Sequence, residues 1–213
     1  MKVSVSILDC DFLRLQQELK AITEAGADAI HLDVMDGHFV PNLSFGTPIG
    51  IAVRRAVSLP IHTHLMVNEP QKFIGSFLPF SDLIIFHIEA TDKPEQCIRM
   101  IHEAGKPAGI SLKPDTPVSA LAPYLTEIQD VLVMSVFPGH GGQQFIPESL
   151  GRIRELSMLI DHAKTTISVD GGVKPDNCAE IARAGADVLI AGSVVFGSEN
   201  YKSVIQALKC STS

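Results

Sequence analysis

Four short stretches place imidazoles and carboxylates two residues apart, or a carboxylate beside glycines, at the ends of apolar runs: His31-Leu32-Asp33, His62-Thr63-His64, His87-Ile88-Glu89 and Asp170-Gly171-Gly172. On an extended strand, residues i and i+2 point to the same face. His31 and Asp33 are therefore expected to project together, as are His62 and His64. Two imidazoles and one or two carboxylates converging from three strand ends supply the mixed nitrogen and oxygen donors that a divalent metal ion takes. One histidine at a strand end is usually just hydrogen-bonded there; the signal is that several fall at strand ends together. Two glycine-rich stretches complement them, Pro138-Gly139-His140-Gly141-Gly142-Gln143 and Ala191-Gly192-Ser193. Backbone N–H groups at such loops and helix starts bind phosphate without needing a lysine.

These residues need strands to carry them, and the sequence alternates short apolar runs with longer amphipathic segments. Strands are expected at Val3–Leu8, Ala29–Val34, Ile61–Met66, Asp82–Ile88, Ala108–Leu112, Asp130–Val136, Thr166–Val169 and Val188–Ala191. Helices are expected at Phe12–Ala25, Thr47–Val57, Pro70–Leu78, Pro94–Ala104, briefly from Val118, and at Pro147–His162, Pro175–Ala184 and Tyr201–Leu208. Gly-Ala-Asp recurs at Gly26-Ala27-Asp28 and Gly185-Ala186-Asp187, each time between a helix and the next strand, with Gly105 at the matching place before the fifth strand. Near-continuous apolar strands such as Leu83-Ile84-Ile85-Phe86 suit parallel strands covered by helices. Eight such units in about 200 residues reach the lower size limit of a (β/α)8 TIM barrel. An open, doubly wound sheet has the same periodicity. The barrel puts functional residues at the C-terminal ends of its strands, where the polar residues above fall. No linker or low-complexity stretch divides residues 1–213, so one domain is expected.

Composition narrows the function classes. The chain has 213 residues, 46% hydrophobic and 19% charged, with a formal net charge of −7. A chain this long buries about 70% of its unfolded surface and needs no staples. The negative balance argues against nucleic acid, which calls for clustered Lys and Arg. Mean hydropathy is positive at +0.23, yet no run of about 18 apolar residues offers a membrane span. No secretory signal is expected. Cys10, Cys97, Cys178 and Cys210 are scattered without C-x-x-C spacing, which points to reduced thiols in a cytoplasmic protein.

Longer motifs carry a family resemblance. Ser6-Ile7-Leu8 with Asp11-Phe12, the run from His31 through Asp33-Val34-Met35-Asp36-Gly37 to Pro41-Asn42, and His64-Leu65-Met66-Val67 resemble ribulose-phosphate 3-epimerases. So do Pro138-Gly139-x-Gly141-Gly142-Gln143-x-Phe145-Ile146, Val169-Asp170-Gly171-Gly172 and Ala191-Gly192-Ser193-x-x-Phe196. The match runs from the first strand to the last helix. The resemblance implies a (β/α)8 barrel that interconverts ribulose 5-phosphate and xylulose 5-phosphate in carbohydrate metabolism, with one divalent metal ion (zinc, iron(II), manganese or cobalt). It implies metal ligands His31, Asp33, His64 and Asp170, with Asp33 and Asp170 as the catalytic acid/base pair. Ser6 and His64 would meet the substrate, and Met35, Met66 and Met134 would wall the reacting carbon. Gly139, Gly141, Gly142, Gln143, Gly171, Gly172, Gly192 and Ser193 would line the substrate, with Gly142, Gly172, Gly192 and Ser193 on its phosphate. A homo-oligomer is implied as well.

The chemistry makes the same demands independently. Epimerisation beside a ketone removes a proton from one face of a carbon and returns one to the other, so two groups must flank it. The negative charge that develops on adjacent oxygens suits a metal acting as a Lewis acid.

The departures bear on the sugar. The family usually has Asn-Pro-x-Thr-Pro where this chain has Lys113-Pro114-Asp115-Thr116-Pro117, and Asn-Pro-Gly-Phe-Gly-Gly where it has Phe137-Pro138-Gly139-His140-Gly141-Gly142. It commonly has Asp at His62, and Ser-Ile-Leu-Ser-Ala-Asp where this chain has Ser6-Ile7-Leu8-Asp9-Cys10-Asp11. Allulose 6-phosphate is the alternative substrate, and a non-catalytic sugar-phosphate-binding barrel the alternative of a different class. Phosphosugar lyases and decarboxylases on a similar barrel carry Asp-x-Lys-x-x-Asp, and Asp33-Val34-Met35-Asp36-Gly37 lacks the lysine.

Overall fold

A computed structural model describes residues 1–209. Eight parallel strands, β1 (Lys2–Ser6), β2 (Ala29–Met35), β3 (Ile61–Met66), β4 (Leu83–His87), β5 (Ala108–Leu112), β6 (Asp130–Met134), β7 (Thr166–Asp170) and β8 (Val188–Ala191), pair in sequence order and close β8 onto β1. Around them lie α1 (Leu15–Glu24), α2 (Thr47–Ala56), α3 (Ile74–Phe77), α4 (Pro94–Glu103), α5 (Ser149–Leu159), α6 (Cys178–Arg183), α7 (Ser193–Phe196) and α8 (Tyr201–Lys209). The fold is a (β/α)8 TIM barrel, and the open-sheet alternative is excluded. No helix among the described residues is long and apolar enough to cross a membrane.

Alternation along the strands sorts side chains into two compartments. Outward residues such as Val3, Val5, Ile30, Leu32, Ile84 and Phe86 join the helices in one large apolar cluster. Inward residues form a second, smaller one of Leu83, Ile85, Leu132, Met134, Val136 and Ile190. Polar inward residues, among them Ser4, Ser6, His31, Asp33, His64, His87, Asp130 and Ser168, are buried.

The Gly-Ala-Asp repeat has a twofold physical basis. Gly26 and Gly185 take positive φ (+94° and +115°) as their helices end. The following aspartates tie neighbouring strands at the barrel base: Asp28 accepts from the Val3 N–H and Asp187 from the Ile167 N–H, each at 2.8 Å. Asp82 does the same for the Ile61 N–H at 2.9 Å.

Several element ends differ from expectation. β1 stops at Ser6 because the Ser6 hydroxyl accepts from the Leu8 N–H, turning the chain into a 3-10 turn over Ile7–Asp9. The expected helix Phe12–Ala25 opens as a 3-10 turn capped by Asp11, and α1 begins at Leu15. Pro70–Leu78 splits into a 3-10 turn at Pro70–Lys72 and the short α3, and the segment from Val118 is a 3-10 turn ending at Leu121. α5 ends at Leu159, because Ile160 is extended. α6 begins at Cys178, three residues after Pro175. β4 and β6 are one or two residues shorter at their ends than expected. Cys10, Cys97 and Cys178 are buried, and burial pushes the Cys10 and Cys97 thiols up to about 12 and 11. Cys210 lies outside the described residues.

Candidate active site and metal centre

Strand register assembles the site at the C-terminal mouth. Ser6 pairs with His31, Asp33 with His64, Met35 with Met66 and Met134 with Asp170. One donor atom from each of His31, Asp33, His64 and Asp170 lies within 4.8 Å of the others. Asp33 is the hub. Its Oδ1 stands 3.2 Å from His31 Nε2 and 3.1 Å from His64 Nδ1, and its Oδ2 accepts from the Ser6 hydroxyl at 2.6 Å.

Electrostatics separates the two carboxylates. Burial alone would raise the pKa of Asp33, but the neighbouring imidazoles, His31 first and then His64, outweigh it and hold the group well below the ordinary range. Asp170 moves the other way, pushed up by burial and then by the negative charge of Asp33. The two carboxyls are pushed in opposite directions, the pattern that separates a base from an acid. Burial depresses His64 to about 3, so its ring is neutral and able to coordinate. His31 is fully buried, yet neither of its ring nitrogens has a hydrogen-bond partner. Buried polar atoms are almost always paired. An unpartnered imidazole beside two carboxylates and a neutral histidine is the donor chemistry of a divalent-metal site.

A cavity opens above this group. Ser6, Asp33, Met35, Met66, Met134 and Asp170 line its floor, and Gly139, Gly141, Gly142, Gln143, Gly171, Gly172, Gly192 and Ser193 line its side. His31 and His64 are wholly buried and do not line it. The glycine wall is tight. A Cβ on Gly172, whose φ is +64°, would stand 2.3 Å from the Phe145 amide nitrogen. Gln143 turns its amide back to the carbonyls of Phe137 and His140, at 2.8 and 2.9 Å, and so braces its own loop.

Of the residues whose parts were open, His62 pairs in register with His31 yet lies outside the donor group. Burial lowers it to about 4, which leaves a neutral ring lining the barrel. His140 lines the cavity. His87 places Nε2 2.9 Å from His64 Nε2.

Two charged cavity residues lie outside the assigned site set, Lys174 and Asp9. Asp9 had a signal, since it replaces the family's usual serine. Its carboxylate leans into the glycine wall, where a Cβ on Gly141 would meet Oδ2 at 2.3 Å. Partial burial and the charge of Asp33 raise its pKa, and the Ser193 N–H opposes that rise.

Residues 2–196 match the profile of the ribulose-phosphate 3 epimerase family. Ribulose-phosphate 3-epimerase of Synechocystis sp. is 44% identical over 212 residues, covering 97% of this chain and 92% of the relative. That of Bacillus subtilis is 40% identical over 213 residues, 98% of each chain. Among solved structures, 3-hexulose-6-phosphate synthase superimposes over 100% of both chains with a TM-score of 0.75 at 16% identity. The tryptophan synthase A-subunit of Pyrococcus furiosus does so over 98% of this chain and 97% of its own, with a TM-score of 0.74 at 18% identity. At such identities the structures share the barrel.

Proposed function

The chain belongs to the ribulose-phosphate 3-epimerase family, and from that membership we propose that it interconverts D-ribulose 5-phosphate and D-xylulose 5-phosphate by proton transfer at carbon 3. The observation that carries the proposal is the pair Asp33 and Asp170, brought within 4.8 Å at one end of the barrel with their pKa values pushed in opposite directions. β2 and β7 are separated by β1 and β8, so the two carboxyls approach a carbon between them from different sides. Asp33, ionised, takes the proton from one face, and Asp170, protonated, delivers one to the other. The reverse reaction exchanges their parts. Each positioned acid or base contributes about 10²–10⁴-fold.

Met35, Met66 and Met134 form an apolar wall that offers no competing proton donor or acceptor. Ser6 holds Asp33 through Oδ2. Gly142, Gly172, Gly192 and Ser193 are assigned to the phosphate through backbone N–H groups. His31, Asp33, His64 and Asp170 would hold a divalent ion, which supplies Lewis-acid stabilisation of the negative charge developing on the substrate oxygens. Zinc, iron(II), manganese and cobalt all suit these donors, and availability often decides among them. The cytoplasm and a homo-oligomer are the setting that goes with this reading.

A kinetic panel of ribulose 5-phosphate against allulose 6-phosphate tests the assignment. The expected result is a higher kcat/KM for the five-carbon ketose. Preference for allulose 6-phosphate would move the assignment to the six-carbon relative. Absence of turnover on every ketose phosphate would leave only a binding barrel.

Asp9 has a measurable consequence. Its carboxylate stands beside the wall assigned to a phosphate, and two unit negative charges 4 Å apart repel by about 1 kcal/mol in water and about 4 kcal/mol near a protein surface. Asp9→Ser is therefore expected to lower KM for the phosphorylated ketose by about tenfold, with inorganic phosphate becoming a correspondingly better competitive inhibitor. A rise in both constants would show that Asp9 assists binding.

A further inference from the structure

The two histidines of the proposed metal group are held in opposite ways. His31 has both ring nitrogens unpartnered. His64 has both engaged, Nδ1 on Asp33 Oδ1 at 3.1 Å and Nε2 on His87 Nε2 at 2.9 Å. His87 Nδ1 lies 3.0 Å from Glu89 Oε2, and Glu89 Oε1 accepts from the Lys113 N–H at 2.7 Å and from the Thr116 hydroxyl. A hydrogen-bonded chain thus runs from the site through two imidazoles to a carboxylate anchored on the loop after β5. Arg152 ties that loop down, donating to the carbonyls of Lys113 at 2.7 Å, Thr116 at 3.1 Å and Met134 at 3.2 Å.

Proton positions along this chain follow by elimination. Lys113 and Thr116 direct donors at Glu89, so the carboxylate acts as acceptor and His87 must donate from Nδ1. His87 is fully buried, which disfavours its charged form, and a neutral imidazole has one donor and one acceptor. His87 Nε2 is therefore the acceptor, and His64 must carry its proton on Nε2. His64 Nδ1 is left as a bare lone pair facing the Asp33 carboxylate at 3.1 Å. Two lone pairs so placed repel unless a positive charge joins them. Phe39 packs against the His87 ring, with ring centroids 4.7 Å apart, and the Lys113 ammonium lies 4.0 Å from the Phe39 ring centroid.

We infer that His87 and Glu89 are positioning residues that fix the tautomer of His64, holding Nδ1 free of a proton and aimed at a divalent cation. This rests on the reading of His31, Asp33, His64 and Asp170 as metal ligands. Outer partners of this kind typically change metal affinity by about 10–100-fold. The relay also gives Lys113 and Thr116, in a segment that departs from the usual family pattern, a place in the site they do not touch.

The test is a cobalt(II) titration of metal-stripped protein, followed by visible absorption, with folding checked by circular dichroism. His87→Phe and Glu89→Gln are expected to remain folded and to bind cobalt about 10–100-fold more weakly than the wild type. His87→Gln, whose amide oxygen can accept from His64 Nε2–H, is expected to recover part of the loss. Nitrogen-15 spectra of the imidazoles in the metal-free wild type are expected to show His64 protonated at Nε2. A proton on His64 Nδ1, or wild-type cobalt affinity in folded His87→Phe and Glu89→Gln, overturns the relay. A wild-type protein that takes up no cobalt overturns the metal reading itself, and with it the purpose assigned to the relay.

Discussion

Asp33→Asn and Asp170→Asn each yield a folded barrel whose epimerisation rate falls by at least about 10³-fold, within the range of one positioned acid or base. The informative readout is solvent deuterium entering carbon 3. Asp170→Asn keeps Asp33 as a base, so one epimer exchanges its proton without inverting while the other stays inert. Asp33→Asn reverses which epimer exchanges. Undiminished deuterium uptake from both epimers in either variant would rule out a two-base mechanism. Stability supplies an independent check. Asp170 is raised, so the metal-free folded state holds its proton to higher pH than the unfolded chain does. Stability from this group is full below the unfolded carboxyl value and is lost as pH rises through the folded one. Metal-free Asp170→Asn should therefore melt higher than metal-free wild type near pH 8, with the gap closing below about pH 4. Asp33 is lowered, so its contribution is present above the unfolded value and lost in acid. Asp33→Asn should melt lower than wild type at neutral pH.

The barrel was legible because its two periods are hard to mistake: apolar runs of strand length alternating with segments of three- and four-residue spacing, joined at Gly-Ala-Asp turns. Facing was legible for the same reason, since alternation alone puts His31 with Asp33 and His62 with His64. Membership was not. His62 shares a face with His64 and pairs in register with His31, one of the four donors, yet stays outside the group. Which inward side chains converge depends on strand tilt and stagger, and those are properties of the closed barrel. His87 and Glu89 were visible as a strand-end pair, but their partners lie at 64, 113 and 116, contacts between strands and loops that no local spacing encodes. Helix ends slipped where one side chain redirected the chain, as Ser6 and Asp11 do. Shape alone is also a poor guide to chemistry. The barrel superimposes on 3-hexulose-6-phosphate synthase at 16% identity, while this chain has Met35 where the lyase-type signature places lysine.

Removal of the divalent ion is expected to abolish turnover, and zinc, iron(II), manganese or cobalt to restore it. The reason lies in the site's own charges. Without a cation, the ring nitrogens of His31 have no partner, and the negative charge of Asp33 pushes Asp170 toward its neutral form. On this reading the site would bind a divalent ion in the folded state and not in the unfolded chain. At a metal concentration 100 times Kd the folded state gains about 2.7 kcal/mol, which for a chain of about 200 residues raises Tm by roughly 5–10 °C. Uptake must also expel protons, because ligands coordinate in their deprotonated forms. His31 is raised and supplies such a proton, whereas His64, near 3, has none to give at neutral pH, and Asp170, a carboxyl with two oxygens, keeps the proton it delivers to the substrate. Metal added to stripped protein in weak buffer should therefore release about one proton per chain near pH 6. The number should fall as pH climbs above the folded value of His31. Full turnover by a preparation without divalent metal, or uptake with no proton released across that range, would break the ligand assignment, because the same two carboxyls are asked both to hold the ion and to move the proton.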